Sequence, residues 1–181
     1  MSMRRQFIGH SLFVGIALAM SAASATWADT PNLGRSVSPD EIAAWDISIS
    51  PDGANLPQGS GTPAQGEAVY RTTCQTCHGE RGAGKPNDPL AGGQGTLVGA
   101  AAPVKTVGSF WPYATTLFDY VRRAMPLTAP KSLTNDQVYA VCAYILSLNG
   151  IIGENDTMNA ETLPAVRMPN RDGFIMFSRS H

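Results

Sequence analysis

The stretch Cys74-Gln75-Thr76-Cys77-His78 decides the fold of this chain of 181 residues. A Cys-x-x-Cys pair alone is compatible with a redox dithiol or with half of a zinc site. The zinc interpretation lacks a second pair of ligands, because the only histidine after His78 is the terminal His181. A thioredoxin-like site needs a βαβ setting, whereas the flanks here are predicted helix and glycine-rich loop. Two thiols followed directly by a histidine therefore predict covalent attachment of one haem c, with His78 as an iron ligand.

A second iron ligand is predicted at Met125, in the stretch Arg122-Arg123-Ala124-Met125-Pro126. Pro126 ends a helix and begins an extended loop, a geometry that can hold a thioether against the other face of a haem. The alternative is that Met125 fills the core. Met158 and Met168 lie in the tail and are expected to be packing or surface residues.

The N-terminus has the pattern of an export signal. Arg4 and Arg5 precede an apolar run from Phe7 to Met20, and small residues follow as far as Ala28. This pattern predicts a secretory signal peptide over residues 1–28, with cleavage after Ala25 or Ala28, and a periplasmic protein. The apolar run is shorter than the roughly 20 residues of a membrane span, although a retained anchor is the alternative. No later segment approaches that length, so no membrane span is expected in the mature form.

Composition narrows the class of protein further. The chain is 43% hydrophobic and 15% charged, which argues against intrinsic disorder. Its formal net charge of −1 provides no basic surface for nucleic acid. We predict an all-α domain over residues 62–150, between an N-terminal arm (29–61) and a C-terminal tail (151–181).

Three capping signals predict the helices of that domain. Thr62-Pro63-Ala64-Gln65 opens a helix that runs to about Thr73 and delivers the pentad at its end. Thr116-Leu117-Phe118-Asp119 is interpreted as a second capping box, which starts a helix to about Arg123. Thr134-Asn135-Asp136-Gln137 is a third, and its helix ends at Asn149-Gly150. No strand pattern is found, and residues 79–99 are predicted to be loop.

This layout, with the pentad after the first helix and a methionine ligand before the last, resembles the class I cytochrome c fold. Gly66 and Tyr70 are similar to the first-helix pattern of that family, in which glycine lets the terminal helices cross closely. Tyr144 corresponds to the partner aromatic on the last helix. Cys142 lies in the middle of that helix and is expected to be an inert buried thiol.

The same resemblance assigns three further residues to the haem. It implies that the carbonyl of Pro89 accepts the ring N–H of His78, which would orient the ring and raise its basicity. It also implies that Trp111 and Tyr113 hydrogen-bond a haem propionate. The alternative for both aromatic residues is a place in the core.

A narrower resemblance covers most of the chain beyond the predicted signal peptide. Residues 42–47, 51–57, 105–120 and 132–134 are similar to the cytochrome c subunits of periplasmic sulfite and sulfane-sulfur dehydrogenases, the SoxD-like and SorB-like proteins. The resemblance implies that a molybdenum-containing dehydrogenase subunit donates electrons one at a time. A downstream cytochrome c or oxidase would accept them, and this chain would be no enzyme itself. The alternative is a free-standing periplasmic electron shuttle without a dedicated partner.

The two arms carry scattered apolar residues that such loop-rich segments bury poorly by themselves. They either wrap the surface of the cytochrome domain or dock onto a larger subunit, and docking is the favoured hypothesis. These predicted anchors are Ile42, Trp45, Ile47, Leu56, Leu163, Met168, Phe174, Ile175 and Phe177.

Overall fold

The computed structural model of the protein describes residues 33–99 and 101–175. The predicted signal peptide and the anchor Phe177 lie outside the described residues. In the described ranges no helix has both the length and the apolar character that crossing a membrane requires. The described residues divide into two units, one that ends at Ile42 and one that begins at Ala43. In the first unit, Arg35 forms an exposed ion pair with Glu41, which holds the pKa of that carboxyl at about 2.

Helices dominate the described residues. A single 3₁₀ turn covers Glu80–Gly82. Two short strands, β1 (Ser60–Gly61) and β2 (Met158–Asn159), pair antiparallel, with Gly61 opposite Met158. The expectation of no strands is therefore wrong at these four residues. The helices of the described ranges are α1 (Pro39–Trp45), α2 (Pro63–Thr73), α3 (Gln75–His78), α4 (Ala114–Ala124), α5 (Asn135–Leu148) and α6 (Thr162–Ala165).

Two of the three capping predictions are confirmed. Thr62 caps α2 and Thr134 caps α5, each with the reciprocal glutamine bond of a capping box. The predicted capping box at Thr116–Asp119 is wrong. The helix α4 begins at Ala114, two residues earlier, and its N-cap residue Tyr113 makes no side-chain capping hydrogen bond. Asp119 is engaged elsewhere: its carboxylate accepts a hydrogen bond from the Ile49 backbone N–H at 3.1 Å and pairs with Arg123. A tertiary contact and an i,i+4 ion pair thus occupy the carboxylate that the motif assigned to a cap.

The crossing of α2 and α5 holds the domain together. At Gly66 a Cβ atom would lie 1.8 Å from the Ala140 carbonyl oxygen, so only glycine lets the two backbones approach this closely. Tyr70 and Tyr144 pack beside the crossing with ring centroids 5.2 Å apart. The glycine and aromatic pattern found in the sequence is therefore confirmed as a helix contact.

Parts of residues 43–61 and of the described C-terminal tail pack onto the same core. Leu163 and Met168 are each 1% exposed, and Met158 is 4% exposed. The docking hypothesis is wrong for Leu163 and Met168, because side chains that are already buried in the core of this chain are not available to contact a partner subunit. The N-terminal arm is tied down similarly: the Tyr139 hydroxyl donates to the Pro57 carbonyl at 2.9 Å. By contrast, Trp45 is 84% exposed and Ile175 is 98% exposed.

Candidate functional site

A largely apolar cavity of about 310 Å³ opens between the pentad, α4 and α5. Its floor is formed by buried aliphatic residues of the two helices, among them Leu117, Val121, Val141 and Ile145. Six of the seven predicted site residues line it, although they come from four separate parts of the chain. They are Cys74, Cys77, His78, Pro89, Trp111 and Met125.

One wall of the cavity, the His78 wall, comprises residues 74–91. Here α3 ends at Gly79, whose φ of 75° reverses the chain. The loop then folds back on the pentad, since the Gly84 N–H donates to the His78 carbonyl at 2.7 Å and the Asn87 N–H to the Cys77 carbonyl at 2.9 Å. These bonds bring the Asp88 carbonyl oxygen to 3.0 Å from Nδ1 of His78.

That contact corrects the assignment of Pro89 as the partner of His78. The accepting carbonyl belongs to Asp88, one residue earlier, because the loop turns its backbone toward the ring before Pro89, which lines the cavity instead. A carbonyl can only accept, so Nδ1 carries the proton and Nε2 keeps its lone pair free for a metal. This is the tautomer that an axial ligand requires.

The sequence interpretation missed Asn149, which ties the loop after Asp88 to the end of α5. Its side-chain nitrogen donates to the Leu90 carbonyl at 3.1 Å, and its oxygen accepts from the Gly92 N–H at 3.0 Å. An asparagine before Gly150 is a common helix end, and the sequence indicated that role alone. Nothing local signals that the same amide supports the His78 wall from 59 residues away.

A second part of the cavity lining, the Met125 wall, comprises the last turn of α4 and residues 125–128. Met125 caps α4 with an extended backbone, φ −118° and ψ 148°, and its N–H donates to the Val121 carbonyl at 3.1 Å. Phe118 lies about two helical turns before Met125 and is fully buried. Its ring packs against Tyr139 with ring centroids 4.4 Å apart. The half-buried thioether thus lies where a regular helix ends, with Pro126 directing the chain away.

The two aromatic residues assigned to a propionate have different surroundings. Trp111 lines the cavity and packs edge-on against Tyr120 at 5.8 Å. Tyr113 is not among the lining residues: a bend at Pro112 separates it from Trp111, and the Arg171 guanidinium lies 4.3 Å from its ring centroid. The ring of Tyr113 stacks against the guanidinium of Arg171 in the C-terminal tail, and its hydrogen bond to a propionate stays a prediction.

The three thiols differ in accessibility. Cys77 is exposed and Cys74 half-buried, and both border the cavity. Burial raises the pKa of the Cys74 thiol. Cys142 is wholly buried, and burial raises the pKa of its thiol as well. The prediction that Cys142 is a buried thiol is confirmed.

A comparison with known proteins identifies the class to which this fold and cavity belong. Residues 63–149 match the family model described as cytochrome c. The chain belongs to the cytochrome c family, with the class I fold, and is an electron-transfer haem protein rather than an enzyme.

A particular solved structure narrows the comparison. The chain is 40% identical to a chain in the crystal structure of the sulfane dehydrogenase SoxCD from Paracoccus pantotrophus, with a TM-score of 0.76. The alignment covers 83% of this chain and 74% of that chain. The comparison with curated proteins returned no match.

The donor set of the cavity fits the covalent haem c of this family. The His78 wall presents two thiols and an imidazole with a free Nε2, while the Met125 wall presents a thioether. The floor between them is aliphatic, as an apolar macrocycle requires. The single pentad corresponds to one haem.

Proposed function

We propose that Cys74 and Cys77 hold one haem c through thioether bonds and that His78 and Met125 are its axial ligands. Haem c supplies a one-electron Fe(III)/Fe(II) couple. A thioether paired with an imidazole favours the ferrous state and raises the reduction potential. The observation that carries this proposal is that His78 and Met125 line one cavity together with aliphatic side chains of α4 and α5.

The electron donor that we propose is a molybdenum-containing sulfite or sulfane-sulfur dehydrogenase subunit. Support comes from the similarity to a chain of the SoxCD sulfane dehydrogenase, which extends over 83% of this chain and so beyond the haem domain. The chain would receive electrons singly and pass them to a downstream cytochrome c or oxidase. We also propose export to the periplasm, with residues 1–28 as the signal peptide.

Docking to that donor is supported by apolar side chains that the fold leaves in water. Trp45 at the end of α1 and Ile175 in the tail are among the most exposed large apolar residues of the described chain. Aromatic and aliphatic anchors of this kind provide much of the binding energy at interfaces. A free-standing shuttle, the alternative, would gain nothing from keeping them exposed.

Iron ligation is tested with Met125→Ala in the purified holoprotein. We expect loss of the far-red absorption band of methionine-ligated ferric haem and new binding of carbon monoxide by the ferrous form. Met168→Leu is the control, since it replaces a buried methionine that does not line the cavity, with little change of volume. A far-red band that survives Met125→Ala would exclude Met125 as the ligand.

The partner is tested by co-purification with a molybdenum-containing subunit. Deleting residues 151–181 would remove the core residues Leu163 and Met168, so point substitutions are preferable. Trp45→Ser with Ile175→Ser should reduce recovery of the partner, whereas Val98→Ser, at a side chain 89% exposed, should not. Equal recovery with all variants would contradict docking through the arms, and failure to recover any molybdoprotein with the wild type would favour the shuttle.

A further inference from the structure

One charged side chain of the cavity remains outside this account. Within the described ranges, Lys105 is the one lysine or arginine among the residues that line the cavity. The other formally charged residue of the lining, Asp88, uses its backbone carbonyl to hold His78. A lysine at the edge of an otherwise mostly apolar cavity can pair with a negatively charged group on a molecule that fills the cavity.

The backbone on both sides of Lys105 is held by a small hydrogen-bond network. The Val104 N–H donates to the Thr96 hydroxyl at 3.0 Å, and the Ser109 hydroxyl donates to the Val104 carbonyl at 2.6 Å. On the other side, the buried Thr106 hydroxyl donates to the Gly92 carbonyl at 2.6 Å. The Cα of Lys105 is therefore placed by its neighbours rather than by its own exposed side chain.

An aromatic residue then restricts where the ammonium group can lie. Nζ of Lys105 is 5.0 Å from the ring centroid of Phe110, within the range of a cation–π contact. The tail in turn secures Phe110: its carbonyl accepts a hydrogen bond from Asn170 at 2.7 Å, and its ring packs edge-on against Phe174 at 5.3 Å. The C-terminal tail thus supports the loop that carries the cation.

We propose that Lys105 is the counter-charge of a haem propionate and thereby helps to set the reduction potential. This inference rests on the proposed function, because it requires the haem to occupy the cavity. An ammonium group beside a carboxylate forms a charge-assisted hydrogen bond. Oxidation adds one positive charge at the iron, which an unpaired carboxylate stabilises. Pairing with Lys105 weakens that stabilisation and so favours the ferrous state.

The test is the midpoint potential of purified holoprotein variants. Lys105→Gln should shift the Fe(III)/Fe(II) equilibrium three- to tenfold toward the ferric state, where tenfold corresponds to 59 mV for one electron. Lys105→Glu should shift it about twice as far in mV, and Lys105→Arg should retain the wild-type value. Lys131→Gln is the control, because it removes the same charge from an exposed lysine that does not line the cavity.

Salt separates a direct contact from a general charge effect. Raising the ionic strength should leave most of the Lys105→Gln shift in place, since screening acts mainly on exposed charges that are far apart. Equal shifts for the Lys105 and Lys131 variants, both abolished by salt, would overturn the proposal. The absorption spectrum reports separately on the proposed function: a wild-type protein without covalent haem would contradict that function, whereas normal haem with an unshifted potential in Lys105→Gln would contradict only this inference.

Discussion

The two walls of the cavity are built by different forces. The His78 wall is held by hydrogen bonds from a glycine-rich loop, with the Asp88 carbonyl 3.0 Å from the imidazole. The Met125 wall has few such bonds and depends on α4 packing its buried face against α5. Hydrogen bonds orient a group, whereas apolar packing sets its distance from the core. The histidine is therefore held in direction, and the methionine is held by the position of a whole helix.

The largest loss of stability is expected at the crossing of α2 and α5, because both walls of the cavity depend on it. Gly66→Val places a Cβ atom 1.8 Å from the Ala140 carbonyl oxygen. This oxygen belongs to the backbone of α5, so no side-chain rotation can relieve the clash. We expect destabilisation by more than about 5 kcal/mol and loss of cooperative unfolding. Thermal and denaturant melts measure it, with the exposed neighbour Glu67→Ala as control. A stable Gly66→Val protein would mean that the helices cross elsewhere.

A second substitution acts on the Met125 wall by itself. Phe118→Ala removes a fully buried ring and its contact with Tyr139, which should cost about 3–5 kcal/mol. Because α4 then loses part of its packing against α5, Met125 should move and the far-red band of methionine ligation should weaken, while His78 stays bound to the haem iron. Denaturant melts and the ferric spectrum measure the two effects. An unchanged band at reduced stability would show that Met125 does not depend on the packing of α4.

The complementary substitution acts on the His78 wall. Asn149→Ala leaves the Leu90 carbonyl and the Gly92 N–H without their partner, for a cost of about 2 kcal/mol. Amide hydrogen exchange should accelerate at Gly92 while the far-red band persists. Asn155→Ala, at an exposed residue, is the control. Unchanged exchange at Gly92 would contradict the role of Asn149 in holding the segment Leu90–Gly92 at the end of this wall.

The smallest effect is expected from a single hydroxyl behind the His78 wall. The Tyr70 hydroxyl donates to the Gly79 carbonyl at 2.9 Å, so Tyr70→Phe should cost about 1 kcal/mol at neutral pH. Tyr139→Phe is matched to it, since Tyr139 donates to Pro57 at the same distance of 2.9 Å. Only the Tyr70 variant should alter amide exchange in the loop after His78.

The pH dependence sharpens this last comparison. Burial raises the pKa of Tyr70 to about 12, against about 10 in an unfolded chain. Its stabilisation is therefore fully present below about pH 10 and declines as the pH rises toward 12. The stability difference between wild type and Tyr70→Phe should shrink over that interval in denaturant melts. A difference that is constant with pH would contradict the raised pKa.

Local chemistry made the His78 side of the site predictable. The pentad and the capping boxes at Thr62 and Thr134 each depend on residues within about a turn of one another, and the structure confirms both capping boxes. The prediction failed where a side chain chose a distant partner. Asp119 accepts a hydrogen bond from the Ile49 N–H, 70 residues away, instead of capping a helix.

By itself, the sequence determined the chemistry of this protein: two thiols and an imidazole at the spacing that attaches one haem, on a chain with the helices to enclose it. Only the tertiary structure decided which carbonyl orients His78, that Lys105 lines the cavity and that Leu163 and Met168 belong to the core. The reason is physical. Covalent attachment and helix capping act over a few residues, whereas burial and long-range hydrogen bonds are resolved only when all segments compete for the same partners.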